Sequence, residues 1–355
     1  MQDLQRMEMK IDQIVQEKIS ERTPGFSLMI TRGEQILLRK GYGMADLERG
    51  IPIDPEDHFI IASNTKQFTC IALLMLQQRG LLHIDQPASD FFPDFPKYIK
   101  HITVRQMMCH TSGIKEYFHE EFRPAAEKIA RADTAAMLEV IRDFGEDLNF
   151  EPDTAFSYCN SAYVMLGDII RQLSGKPFGQ FLETEIFAPL GMDRTIAPDY
   201  MDRKDPRQVK GYVCQEDGSF SVPPYDMIQV GYADGNISSD TRDLFTWHKY
   251  LYMSPSELLL KRDLLDQAFR PHRLKDGREI NYGMGFFLGN VEDHSPPYGR
   301  PDEIWHTGGT EGFVSRCSRF RDAGISVFML ANYGGLEKEL LFFPIVDAVF
   351  QEDEI

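Results

Sequence analysis

Ser63 stands three residues before Lys66 in "IIASNTKQF", Tyr158 two before Asn160 in "FSYCNSAY", and "WHTGGTEGF" carries His306, Thr307, Gly308 and Gly309 in succession. A serine hydroxyl is a poor nucleophile at neutral pH until a neighbouring base takes its proton. Positions i and i+3 share one face of a helix, so Ser63 and Lys66 can touch if a helix begins here. Alone, so short a pair is better read as a helix cap followed by a solvated lysine. The apolar "QFTCIALLML" that follows points to a buried helix enclosing Lys66. A desolvated lysine has a lowered pKa and can act as a neutral base. Tyr158 alone reads as a buried aromatic with a satisfied hydroxyl.

The elements that would position these groups are legible from period and punctuation. "MQDLQRMEMKIDQIVQEKISER" spaces its apolar residues as a helix does, and "FSLMITRGEQILLRKGYGMAD" holds two β-rich runs split by Arg32-Gly33-Glu34, a hairpin signal. "EIWHTGG", "FVSRCSRF" and "ISVFMLANY" read as three further strands. "EKELLFFPIVDAVFQ" carries a helical stripe that Pro344 should bend or break. Between the two ends, "TKQFTCIALLMLQQRG", "TVRQMMCH", "TAAMLEVIRDF", "SAYVMLGDIIRQLSG" and "FGQFLETEIFAPLG" have helical period with Gly or Pro stops. A helical block therefore sits inside an antiparallel sheet built from both chain ends. Residues 197–230 and 291–303 show no period and read as irregular excursions near a cleft.

The 355 residues suffice for a large core, and 42% hydrophobic with 26% charged residues is ordinary for a globular protein. Fifty-five acidic against 38 basic residues give a formal charge of -17, which repels a phosphate backbone or an anionic bilayer, so neither nucleic acid nor membrane is expected as a partner. The N-terminal helix lacks a continuous apolar core and resembles neither a signal peptide nor an anchor. Five cysteines without metal-site spacing read as free thiols in a reducing compartment. The expected location is cytoplasmic.

Ser-x-x-Lys, then Tyr-x-Asn, then a basic residue followed by Thr-Gly, in this order, resembles the penicillin-recognising serine hydrolases. The branch with Tyr-x-Asn holds class C β-lactamases, soluble D-alanyl-D-alanine carboxypeptidases, D-aminopeptidases and β-lactamase-like esterases. "GLLHIDQPASDFFPDFP", "ITVRQMMCHTSGI", "LNFEPDTAFSYCN" and "YADGNISSDTRDL" extend the likeness over nearly the whole chain. The resemblance implies an α+β, β-lactamase/transpeptidase-like fold: an antiparallel sheet flanked by helices, with an inserted all-helical domain and the site at their junction. Residues 1–78 and 230–355 would form the sheet domain and 79–229 the insertion. It further implies that Ser63 is acylated, Lys66 accepts its proton and Tyr158 is a shared base that activates the deacylating water, each of the pair lowering the other's pKa. Asn160 would donate to a substrate carbonyl and hold Lys66. The N–H groups of Ser63 and Gly309 would form the oxyanion hole, Gly309 fitting because substrate lies close to that backbone, while His306, Thr307 and Gly308 line the strand side.

Two departures from the family pattern stand out. β-Lactamases of this branch usually carry Lys where His306 stands, a charge that helps bind a substrate carboxylate; histidine shifts expectation toward peptidase, amidase or esterase activity. Asp153 replaces a turn glycine, which Asp tolerates. Other signals carry no chemistry: "EDLN" at 146–149 precedes rather than follows its motif, "HEEF" at 119 lacks a second histidine, and His110 reads as a turn holder. The expectation is a metal-free, cofactor-free serine hydrolase acting on a small-molecule or short peptide substrate. The rivals are a true class C-type β-lactamase or D-alanyl-D-alanine carboxypeptidase, which Arg316 would favour as a carboxylate-binding cation, and a catalytically silent binding or scaffold protein.

Overall fold

The computed structural model describes residues 2–121, 133–197, 205, 207–223, 233–235, 237–290 and 299–351. Along the chain run α1 (Gln2–Gln16), β1 (Phe26–Arg32), β2 (Gln35–Tyr42), α2 (Thr65–Gln78), α3 (Val104–Met108), α4 (Thr134–Arg142) and α5 (Asn160–Ser174). There follow α6 (Thr241–His248), β3 (Phe287–Leu288), β4 (Glu303–Gly309), β5 (Val314–Phe320), β6 (Ile325–Ala331) and α7 (Glu339–Gln351). The six strands form one antiparallel sheet in the order β3-β4-β5-β6-β1-β2, so the N-terminal hairpin closes against the last strand. The expected helix, hairpin and strands are all present. Of the two excursions, residues 198–204, 206, 224–230 and 291–298 lie outside the described residues; the described part of the first holds a short pair, Val213–Cys214 with Phe220–Ser221.

Strand alternation assigns the two faces of the sheet to two cores. Leu28, Ile30, Val327 and Met329 pack under Met7, Ile11 and Val15 of α1 and Phe342, Ile345 and Val346 of α7. Met29, Phe328 and Leu330 point the other way, into a larger core shared with α2, α4 and α5. α7 runs through Pro344 unbroken, so of the expected bend or break the break does not occur. The bond it forfeits is to the carbonyl of Leu340, a residue exposed enough for water to serve instead. All five cysteines are free, and no helix among the described residues is long and apolar enough to cross a membrane.

Asp153 bears on how the segment carrying Tyr158 is held. Its φ is +60°, a left-handed conformation that glycine would adopt without strain. Its carboxylate accepts from Gln106 (2.6 Å), Thr111 (2.7 Å) and His272 (2.8 Å), tying the turn to α3 and to a distant strand. Burial alone would raise this carboxyl, but the hydrogen bonds from His272, Gln106 and Thr111 outweigh it and hold the pKa below the ordinary value. We expect Asp153→Gly to destabilise the fold by about 1–3 kcal/mol, strain relief notwithstanding. A depressed carboxyl stabilises above its unfolded value of about 3.9 and loses that contribution as pH falls through the folded one, so the gap should narrow below pH ~4. Urea unfolding at pH 7 and pH 3 checks both; a glycine variant at least as stable as the parent at pH 7 would refute the assignment.

Candidate active site

After the short ladder of Phe59–Ile60 with Ser238–Ser239, residues Ala62–Asn64 make a single 3-10 turn that runs into α2. Ala62 sits at φ +48°, a conformation costing an L-residue about 1–2 kcal/mol. Side chains from three elements hold the turn there. Ser315 of β5 donates to the Ile61 carbonyl (2.7 Å) and accepts from Asn64 (2.8 Å), Gln67 donates to Asn64 (3.2 Å), and Trp247 of α6 donates to Gln67 (3.0 Å). Asn64, not Ser63, occupies the N-cap of α2 and makes no side-chain cap, which removes the helix-cap reading of Ser63.

Lys66 is fully buried on the first turn of α2, as the apolar stretch behind it implied. Its Nζ reaches Ser63 Oγ at 3.0 Å, Asn160 Oδ1 at 2.7 Å and the Asp234 carbonyl at 2.8 Å, which uses all three ammonium hydrogens. The Tyr158 and Tyr163 rings face it at 4.8 and 5.2 Å. Desolvation pulls its pKa down to about 8 against the opposing pull of the Asp234 and Glu116 carboxylates. Roughly a tenth of the side chain is then neutral at pH 7 without any substrate.

Tyr158 differs from expectation. Burial pushes its phenol well above the ordinary value, so the two net shifts are opposite: Lys66 falls and Tyr158 rises. Its hydroxyl is buried without a hydrogen-bond partner among the described residues. Behind the ring lies His110, centroids 4.2 Å apart, whose Nδ1 accepts the Cys159 N–H at 3.0 Å. His110 holds a turn, as expected, at φ +60°.

Asn160 opens α5, where the N-cap residue Cys159 offers no side-chain cap. Glu116 supplies one from outside the helix: a single carboxylate oxygen accepts the Asn160 backbone N–H (2.5 Å) and its Nδ2 (3.2 Å). One hydrogen of that amide remains for a further acceptor.

β4 brings its glycines against the Ala62–Asn64 turn. A Cβ at Gly308 would stand 2.2 Å from the Ile61 carbonyl oxygen, whereas one at Gly309 would meet nothing within 4 Å. The glycine that the protein's own packing demands is therefore Gly308, and Gly309 lies exposed at the opening. Thr307 is half-buried beside it. His306 is buried rather than lining the opening: Nδ1 donates to the Thr307 carbonyl (2.6 Å) and Nε2 accepts from Tyr282 (3.3 Å). Desolvation, with Lys66 nearby, pushes its pKa down to about 3, so it is neutral. Arg316 is unavailable to a substrate carboxylate. It is fully buried, paired with Glu303 at 2.8 Å and packed between Trp305 and the Phe342 and Phe343 rings of α7.

The structure thus brings Ser63, Lys66 and Asn160 into direct hydrogen-bond contact, stacks Tyr158 over Lys66, and sets Gly308 of β4 against the turn that carries Ser63. Sequence reading missed Glu116, Tyr117 and Asp234. Tyr117 donates to the Asp234 carboxylate at 2.8 Å, and Asp234 stands in "YADGN", a stretch with a family look but no motif that marks it.

A family model described as Beta-lactamase matches residues 11–342. Among curated relatives, penicillin-binding protein 4* of Bacillus subtilis (strain 168) is 29% identical over 319 residues, 86% of this chain and 67% of that protein. The putative penicillin-binding protein PbpX of the same strain is 31% identical over 277 residues, 76% of this chain and 64% of that one. The chain thus spans about two thirds of the length of these relatives, 67% and 64%. A D-amino acid amidase from Ochrobactrum anthropi SV3, solved with L-phenylalanine, superposes with a TM-score of 0.79 over 99% of this chain and 98% of that one, at 22% identity, a likeness of fold. With a family match running nearly end to end, the chain belongs to the Beta-lactamase family, within the superfamily of serine hydrolases that includes the penicillin-binding proteins.

Proposed function

We propose that the protein hydrolyses a small amide, peptide or ester through an acyl-enzyme on Ser63. The observation that carries this is a buried Lys66, with its pKa brought down to about 8, standing 3.0 Å from the Ser63 hydroxyl. Neutral Lys66 takes the Oγ proton as Oγ adds to the carbonyl carbon. The oxyanion that forms is held by the Ser63 and Gly309 N–H groups, donors of a kind worth about 2.7–4 kcal/mol in the transition state. Collapse breaks the bond to the amine or alcohol, which leaves with the proton passed from Lys66 by way of the Tyr158 hydroxyl. Water then attacks the acyl-Ser63 and gives a proton to Lys66 along the same route; collapse breaks the bond from the acyl carbon to Ser63 Oγ, Lys66 returns the proton to that oxygen, and the acid is released. Asn160 presents its remaining amide hydrogen to the substrate.

Neutral His306 and the Arg316 side chain locked against Glu303 weigh against a substrate bound by its carboxylate. That favours amidase or esterase chemistry over a β-lactamase or carboxypeptidase. Intact-protein mass after mixing with benzylpenicillin, beside nitrophenyl butyrate and D-amino acid amide turnover, tests the reading with Ser63→Ala as control. We expect Ser63-dependent ester or amide turnover, and at most slow drug loss. Rapid drug loss without a lasting adduct would mark a β-lactamase, and a Ser63→Ala protein hydrolysing every substrate at the parent rate would overturn the mechanism.

A further inference from the structure

Lys66 has three acceptors, and one short segment grips two of them from behind. Glu116 takes the Asn160 N–H and Nδ2 on one carboxylate oxygen, while its other oxygen accepts the Phe118 N–H at 3.2 Å and so fixes the carboxylate itself. The next residue, Tyr117, donates through its hydroxyl to Asp234 Oδ2 (2.8 Å) and through its N–H to Ser161 Oγ (2.8 Å). Asp234 in turn offers its carbonyl to Lys66. Only the third acceptor, Ser63 Oγ, lies outside the grip of residues 116 and 117.

The two ends of an asparagine amide are nearly the same size, so sterics do not decide which faces Lys66. Hydrogen bonding does. With a carboxylate on one side and an ammonium on the other, Oδ1 must face Lys66 and Nδ2 must face Glu116; the flipped amide would set donor against donor and oxygen against carboxylate. We propose that Glu116 is a positioning residue for the reaction, orienting the Asn160 amide and thereby fixing Lys66 in reach of Ser63. This rests on the Ser63 reading above. The bland alternative is that Glu116 merely caps α5, whose own N-cap residue has no side-chain acceptor in place. A cap affects folding stability and leaves the turnover of folded protein unchanged.

Two variants separate these. Glu116→Ala removes the acceptor, and we expect kcat for nitrophenyl butyrate to fall about tenfold or more, with KM changed less than about threefold. Glu116→Gln keeps an acceptor oxygen and loses the charge, and we expect kcat within about threefold of the parent. The groups that act on Lys66 are the Asp234 and Glu116 carboxylates and the Cys159 and Cys70 thiols, with the Tyr158 and Tyr163 rings beside it and His110 and His306, both neutral, nearby. Loss of one negative charge from this set disfavours the ammonium, so in Glu116→Gln the acid limb of the pH profile and the Lys66 titration seen by 13C NMR should both move to lower pH. A Glu116→Ala protein whose kcat stays within twofold of the parent, whatever its melting temperature, overturns the proposal, as does equal damage in both variants or an unmoved Lys66 titration. Failure of the Ser63 reading shows elsewhere: the parent protein itself would lack Ser63-dependent turnover.

Discussion

Lys66→Met lowers kcat by about a hundredfold to ten-thousandfold without unfolding the protein. The size follows from the role proposed for Lys66, since a positioned general base contributes about that much. Lys66→Arg is expected to be as inactive as Lys66→Met, because a guanidinium keeps the charge and the hydrogen bonds but cannot shed a proton. In the parent protein kcat/KM should rise with pH along a limb whose midpoint lies near 8, where Lys66 becomes neutral. The fold should survive. The folded-state pKa is below the unfolded value of about 10.4, so between pH ~8 and ~10.4 the unfolded chain holds the proton more tightly and stability rises with pH. At pH 7 the buried charge is a net burden that methionine lifts, although Ser63, Asn160 and the Asp234 carbonyl lose a donor. A stopped assay over pH 5–10 with thermal melts of all three proteins decides it. An arginine variant with parent-like turnover, or a limb centred near pH 4–5, would move the base away from Lys66.

The parts of this site that were legible in the sequence are those set by local geometry. Ser63 and Lys66 needed only one turn of helix to meet, and the apolar run of α2 announced that the lysine would be buried. The hairpin at Gly33 and the strands around the Arg321–Gly324 turn followed from alternation and from glycine at positive φ. What could not be read depends on which segments meet. Glu116 lies 44 residues before Asn160 in the chain and carries no motif, so its two hydrogen bonds exist only in the folded protein. The neutrality of His306 is likewise a product of packing, since it arises from burial near Lys66 with Tyr282 on Nε2. Arg316 showed the limit from the other side. A basic residue on a strand near the motif looks available, but strand register turns it onto the α7 face and into a pair with Glu303.

Gly308→Ala should cost the protein both its activity and part of its stability, while Gly309→Ala spares the fold. A methyl group at 308 would stand 2.2 Å from the Ile61 carbonyl oxygen, 2.5 Å from Ser315 Oγ and 3.0 Å from the Ala62 Cβ. The first contact is with backbone, so relief requires β4 and the Ala62–Asn64 turn to part. That turn carries Ser63, already holds a left-handed alanine, and is pinned by the same Ser315 hydroxyl the new methyl would displace. Displacement of a reacting group by an ångström costs about a hundredfold in rate, and overpacking of this kind about 1–3 kcal/mol in stability. At 309 a methyl meets nothing within 4 Å, so folding should change by less than about 0.5 kcal/mol. Any loss of turnover in Gly309→Ala then reports on substrate lying against that backbone, as the oxyanion role proposed for its N–H requires. Denaturant unfolding and ester kinetics on the two variants together give the answer. If Gly308→Ala kept parent-like kcat, contact between β4 and the turn would not be what sets Ser63; if Gly309→Ala matched the parent in every kinetic constant, the substrate would not lie against residue 309.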